Sequence, residues 1–147
     1  MRYSLAIALF LGPALALAAD KSETRYGVAP DLKTYPQAAA KDALASVIKT
    51  VQDKRIDYLV AQLADPAYID EQVQKRFGGN FEQQVEDTRL QMNAGTLKLF
   101  ERFLKDGEWS GNKDERCLKH KDVKDRCIYF RRVGDRWYLE NRNKPAE

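Results

Sequence analysis

The sequence predicts an α+β domain in which N-terminal helices pack on a curved C-terminal antiparallel sheet, and three observations carry that expectation. Apolar residues recur at helical spacing between Ala40 and Leu104. After Asp106-Gly107 the spacing changes to alternation, the pattern of half-buried strands. Helices first and strands afterwards segregate the two kinds of element, so helices must cover one face of a sheet built from consecutive strands.

The chain opens with Met1-Arg2, the apolar run Leu5 to Leu11, and Ala16-Leu17-Ala18. A basic start, an apolar stretch too short to span a bilayer and a small-x-small site read as a signal peptide over residues 1–18, cleaved near Ala18. The expected product is periplasmic or secreted. Removing 18 of 147 residues leaves 129, the length of one domain. The first cysteine is Cys117 and no second apolar run reaches the length of a membrane helix, so no lipid or stable membrane anchor is expected.

Residues 19–33 are polar, contain Gly27 and Pro30, and read as a flexible N-terminal arm from which Tyr26, Val28 and Leu32 could dock. The single domain is expected over residues 34–143. Thr34 followed by Gln37, with Pro36 in the first turn, reads as a capping box opening the first helix. Ala40, Leu44, Val47, Ile48 and Val51 form its apolar stripe. A second helix is expected over residues 54–64, capped by Asp53 and ended by Asp65-Pro66. Residues 68–73 fit a strand or a helical turn, and Gly78-Gly79 breaks what precedes it. Asn80 with Gln83 caps another helix. After an interruption at Asn93-Ala94-Gly95, a last helix over residues 96–105 turns Leu97, Phe100, Phe103 and Leu104 to one side.

The expected strands cover residues 108–110, 116–119, 124–133 and 137–142, with a tight turn at Gly134-Asp135. In that register Phe130 lies opposite Leu139, and Ile128, Phe130, Trp137 and Leu139 share the core face. Cys117, Cys127, Tyr129, Arg131 and Tyr138 share the other. A hairpin centred on Asp122 sets Cys117 opposite Cys127, and in an exported chain that pair reads as a disulfide contributing about 2 to 3 kcal/mol. Without C-x-x-C spacing it does not read as a redox pair.

Twenty-five Lys and Arg against 22 Asp and Glu give a net charge of +3, too near neutral to imply nucleic acid as a partner. From Lys113 to Arg136 nine basic residues face five acidic ones, a local excess centred on the last hairpins. There Tyr129, Arg131, Arg132, Arg136 and Tyr138 form an aromatic and basic group suited to an anionic polymer of the cell envelope. His120, the single histidine, falls between two lysines in a predicted loop and reads as solvated. Asp70, Glu71, Glu86 and Asp87 read as solvated carboxylates. No serine has a G-x-S-x-G setting, and the Cys, His and carboxylate spacing fits neither zinc nor calcium, so neither cofactor nor metal is expected.

A capped first helix, a short second helix ending in Ala64-Asp65-Pro66, and strands ending in Phe130-Arg131-Arg132-Val133-Gly134-Asp135-Arg136-Trp137-Tyr138-Leu139 together resemble the NTF2-like (SnoaL-like, cystatin-like cone) superfamily. The specific part of the resemblance is the final hairpin, with Gly134-Asp135 at its turn and Trp137-Tyr138 after it. It implies a cone of helices wrapped by a bent sheet, often a homodimer through that sheet, with a pocket that some members use for small apolar ligands. Phe100, Phe103, Ile128, Phe130, Trp137 and Leu139 are the residues expected to line it. The superfamily holds isomerases, cyclases and dehydratases beside many non-enzymatic domains, so fold does not decide function. The family's Asp-Tyr and His-Asp constellations have no counterpart here. The leading expectation is therefore an exported, non-catalytic domain binding a protein through its sheet or a small ligand in its cone. The alternatives are a SnoaL-like isomerase or hydrolyase and a binder of anionic envelope polymers.

Overall fold

The computed structural model describes residues 23–142; the expected leader lies outside the described residues. Helix α1 spans Ala40–Gln52, a short α2 spans Ile56–Tyr58, α3 Pro66–Lys75, α4 Phe81–Gln91 and α5 Ala94–Asp106. Strands β1 (Glu108–Gly111), β2 (Glu115–His120), β3 (Val123–Val133) and β4 (Arg136–Glu140) follow in one open antiparallel sheet of order β1-β2-β3-β4. The α+β class is as the periodicities predict.

The first helix starts later than the expected capping box. Its N-cap is Ala39, with no side-chain cap. Asp31 organises the Thr34 turn instead, accepting from the Thr34 N–H at 3.0 Å through Oδ1 and from the Tyr35 N–H at 2.9 Å through its carbonyl. Pro36 holds the preceding residue out of the helical region. Gln37 is buried and donates its amide to the carbonyls of Gln62 at 3.0 Å and Trp137 at 2.8 Å, bonds that a capping role would forfeit. The apolar stripe of α1 is otherwise as read, with Ala40, Leu44, Val47 and Ile48 buried.

Asp53 closes α1 rather than opening the next helix. After α2 the chain widens into one π turn, Leu59–Leu63, whose five side chains are all buried. Five consecutive buried residues need cover on every side. The N-terminal segment supplies one side, with Arg25 Nε donating to the Ala61 carbonyl at 3.0 Å and Gln62 Nε2 donating to the Val28 carbonyl at 2.7 Å. Residues 23–33 are thus docked, not extended away from the domain. Tyr26 stacks on Phe81 with ring centres 4.3 Å apart, and Tyr26 and Gly27 both take positive φ in the tight turn between Arg25 and Val28.

Asp65-Pro66 begins a helix instead of ending one. Asp65 caps α3 by accepting from the Ala67 N–H at 3.1 Å, and Pro66 stands at the start, where a missing N–H costs nothing. Residues 68–73 are helical within α3. Gly78 and Gly79 break the chain with φ of +57° and +89°, and Asn80 caps α4 as expected; Asn93, expected within an interruption, instead caps α5, which starts at Ala94.

Two apolar clusters meet at Phe100 and Leu139. One lies among the helices around Val47, Tyr58, Leu63, Ile69 and Val73. The other joins α1 and α5 to the sheet through Leu44, Phe103, Leu118, Phe130 and Trp137. Each fully buried Phe contributes roughly 1.5–3 kcal/mol by transfer from water. The outer edge of β4 is covered: the Trp137 N–H donates to the Gln37 carbonyl at 2.9 Å and the Asp65 N–H to the Leu139 carbonyl at 2.8 Å. Covering that edge removes a template for strand addition.

Phe130 pairs with Leu139 as expected, but the cysteines do not face each other. The ladder shifts register between Lys119 and His120, so that His120 pairs with Val123 while Lys119 pairs with Cys127 and Cys117 with Tyr129. The extra residues sit in β3, and the two cysteines become diagonal neighbours with free thiols. The expected disulfide is absent from the structure. His120 is also not in a loop; it ends β2, buried against Phe103 with ring centres 5.4 Å apart.

Candidate functional site

Between α3, α4, the start of α5 and the ends of β3 and β4 lies a half-open cavity of about 410 Å³, within the roughly 300–1,000 Å³ of small-ligand sites. Its apolar floor comes from Leu59, Val60, Ile69, Phe100, Ile128 and Leu139. The gap forms here because β4 stops at Glu140, opposite Tyr129, while β3 continues from Val123, so the helices have no strand to close on beyond that point.

One wall is a polar stripe of α4. Gln84, Asp87, Thr88 and Gln91 line the cavity at spacings of three, four and seven residues, which stack on one helix face. Arg76, the C-cap residue of α3, grips Asp87 with a two-pronged bond, Nη1 to Oδ2 at 3.1 Å and Nη2 to Oδ1 at 3.2 Å. Gln91 Nε2 donates to the same carboxylate at 2.7 Å. Gln84 Nε2 donates to Thr88 Oγ1 at 3.2 Å, while Gln84 Oε1 is buried without a partner among the described residues. An unpaired buried amide oxygen costs about 1–3 kcal/mol, and its terminal torsion is soft enough to turn it toward a donor entering the cavity.

The opposite wall belongs to the sheet. Arg142 lies over the Tyr129 ring at 4.9 Å, with Glu140 Oε2 at 2.9 Å and Glu115 Oε1 at 2.7 Å. Asn141 Nδ2 donates to the Tyr68 hydroxyl at 2.8 Å. Arg126 and Cys127 enter from the bulged part of β3. Behind this wall, burial followed by a hydrogen bond with Cys127 pushes the Cys117 thiol up to about 11, and the same two causes raise the Tyr129 hydroxyl. The Cys117 thiol is thus a protonated partner of a polar cluster, not an activated nucleophile.

Of the six residues expected to line a pocket, Phe100, Ile128 and Leu139 do so. Phe103, Phe130 and Trp137 instead fill the second apolar cluster. The aromatic and basic group on the last hairpin is dispersed. Arg136 and Tyr138 are buried, Arg131 ion-pairs with the buried Asp65 at 3.0 Å, Arg132 turns back to the Gly134 carbonyl at 2.9 Å, and Tyr129 faces the cavity. No common exposed surface joins the five. Asp70 is not a free surface carboxylate either, since it accepts from Arg25 Nη2 and the Tyr26 hydroxyl, both at 2.6 Å.

Sequence reading passed over Arg76, Gln84, Thr88, Arg126 and Asn141. The polar repeat at 84, 88 and 91 was the available signal, because a helix stripe made of amides and hydroxyls is an unusual one to turn toward other elements. Among the described residues, no group of three or more His, Cys, Asp or Glu could hold a metal ion, and no helix is long and apolar enough to cross a membrane. No protein-family model, curated protein or solved structure matches the chain.

Proposed function

We propose that this is an exported binding domain whose cavity between α3, α4, α5 and the β3–β4 ends takes a small, largely apolar molecule. The observation that carries this reading is the combination of an apolar floor with a few convergent polar groups, among them the unpartnered amide oxygen of Gln84, in a space of ligand size. Binding rather than turnover is supported by the two carboxylates of the cavity. Asp87 is held by Arg76 and Glu140 lies beside Arg142, so each is committed to an arginine instead of being poised to take a substrate proton. The resemblance to the NTF2-like superfamily points the same way, since some of its members hold small apolar ligands between helices and sheet. The leader-like residues 1–18 support a working site outside the cytoplasm, reached after cleavage near Ala18.

Titration of the purified domain with the neutral fluorophore N-phenylnaphthylamine tests the reading. Saturable binding at one site is expected. Thr88→Trp, which places a large ring on the cavity side of α4, should weaken it about tenfold or more, whereas Leu90→Trp on the exposed side of the same helix should not. Unsaturable binding, or equal binding by both variants with unfolding still cooperative, would reject the cavity as a ligand site.

A further inference from the structure

We infer that the cavity selects apolar molecules carrying a negative charge, with Arg126 as the residue that holds the charge; the inference rests on reading the cavity as a ligand site. Three arginines line the cavity, and two of them are committed. Arg76 is bonded to Asp87, and Arg142 is bonded to Glu115 and ion-paired with Glu140. Arg126 is exposed beside the cavity, and among the described residues no carboxylate lies within ion-pair distance of its guanidinium. The two carboxylates on the walls are thus matched, which leaves one guanidinium in surplus.

The position of Arg126 follows from the backbone. It belongs to the stretch of β3 displaced by the register shift opposite Lys119 and His120, one residue before Cys127 and two before Ile128 of the cavity floor. Bulges re-aim side chains in this way and recur beside functional sites. The same guanidinium also borders a second hollow of about 270 Å³, lined by Lys119, Lys121 and Lys124 with Glu108 as its one carboxylate. Lys121 and Lys124, both exposed, border the same hollow and favour the approach of an anion. A carboxylate is the fitting group, because a guanidinium presents two parallel N–H donors to its two oxygens, and an apolar body then lies over Phe100, Ile128 and Leu139.

Displacement of N-phenylnaphthylamine by cinnamate and by its uncharged methyl ester tests the inference on the purified chain. Cinnamate should compete about tenfold more strongly than the ester, and its advantage should shrink as salt is added. Arg126→Gln should remove the advantage without weakening the ester or the dye, and Arg126→Lys should restore part of it. Arg132→Gln, the same loss of charge at the far end of β3, should leave it intact. Equal competition by acid and ester, or an advantage that survives Arg126→Gln, overturns anion selection while the dye still marks a ligand site. Failure of the dye itself to bind saturably overturns the cavity reading first.

Discussion

Gln37 and Arg136, 99 residues apart in sequence, form a buried pair in which the amide oxygen of Gln37 accepts from Arg136 Nη2 at 2.6 Å and Nε at 3.2 Å. Arg136 also donates to Gln62 Oε1 at 3.0 Å, and its guanidinium lies 5.2 Å from the centre of the Tyr138 ring. The charge is thus solvated by amide oxygens inside the protein. Gln37→Leu should cost about 3 kcal/mol in chemical denaturation, because it leaves the buried cation with Gln62 as its hydrogen-bond partner and takes a donor from the Trp137 carbonyl. Adding Arg136→Met should recover part of that loss, since removing the charge removes its desolvation. A Gln37→Leu variant as stable as the parent would show that Arg136 has an equivalent partner elsewhere.

The thiols of Cys117 and Cys127 are free, so alkylation after denaturation without reductant should modify both cysteines. In the native protein Cys117 should react slowly near neutral pH and faster as pH approaches about 11, because the thiolate is the reactive form. A mass showing no alkylation in denaturant would mean that the β2–β3 register slides to bring the sulfurs together.

Stability should fall on the alkaline side. The folded state keeps the Cys117 proton up to about 11 against an ordinary value of 9.0, so between those values it binds more protons than the unfolded chain. The contribution is whole below pH 9.0 and is lost as pH rises through about 11. Tyr26, raised to about 12 by burial and its bond to Asp70, adds a loss at still higher pH. Cys117→Ser should flatten the melting-temperature profile between pH 9.0 and 11; an unchanged profile would exclude this thiol as the cause.

Local signals were the legible part of this fold. Asn80 accepts from the backbone N–H of Gln83, three residues away, so its cap can be read directly from sequence, whereas Asn93, whose cap is equally local, reads as an interruption because Gly95 follows it. Thr34-x-x-Gln37 carries the same local signature, yet Gln37 is claimed by Trp137 and Arg136 at the other end of the chain. A tertiary partner overrode a local pattern. The bulge in β3 was equally hidden: alternation identifies which face a residue takes but not where a ladder gains extra residues, and both the separated cysteines and the placement of Arg126 depend on it. The apolar floor was half legible, because periodicity marks Phe100 and Phe103 as inward without saying which one meets a gap.

Docking of the N-terminal segment should weaken in acid. Burial raises the Asp70 carboxyl, but hydrogen bonds from Arg25 and Tyr26 outweigh it and hold the group below its ordinary 3.8. The linked stability is therefore present above pH 3.8 and lost as pH falls through the lower folded value. Exchange protection of the Arg25 and Val28 amides, which bond to each other's carbonyls, should drop in that window relative to the β2–β3 ladder. Asp70→Asn should abolish the pH dependence; retention of it would assign the docking to another carboxylate.

Gly107, which joins α5 to β1, should tolerate no side chain although its φ of −78° suits any residue. An added Cβ would run into the Phe103 carbonyl and come within 2.6 Å of Leu118 Cδ1. Neither neighbour can yield easily. The carbonyl is fixed by accepting the Gly107 N–H at 2.9 Å, and Leu118 is fully buried in the cluster beneath Phe103 and Phe130. Gly107→Ala should therefore cost about 1–3 kcal/mol by overpacking. It should do so even though the same change at an unstrained open site stabilises a chain by restricting its unfolded state. Pairing it with Leu118→Ala separates the two contacts. If the double variant is less destabilised than the sum of the singles, the clash with Leu118 dominates; strict additivity assigns the cost to the Phe103 carbonyl, and a Gly107→Ala variant as stable as the parent would mean that the α5–β1 junction shifts to make room.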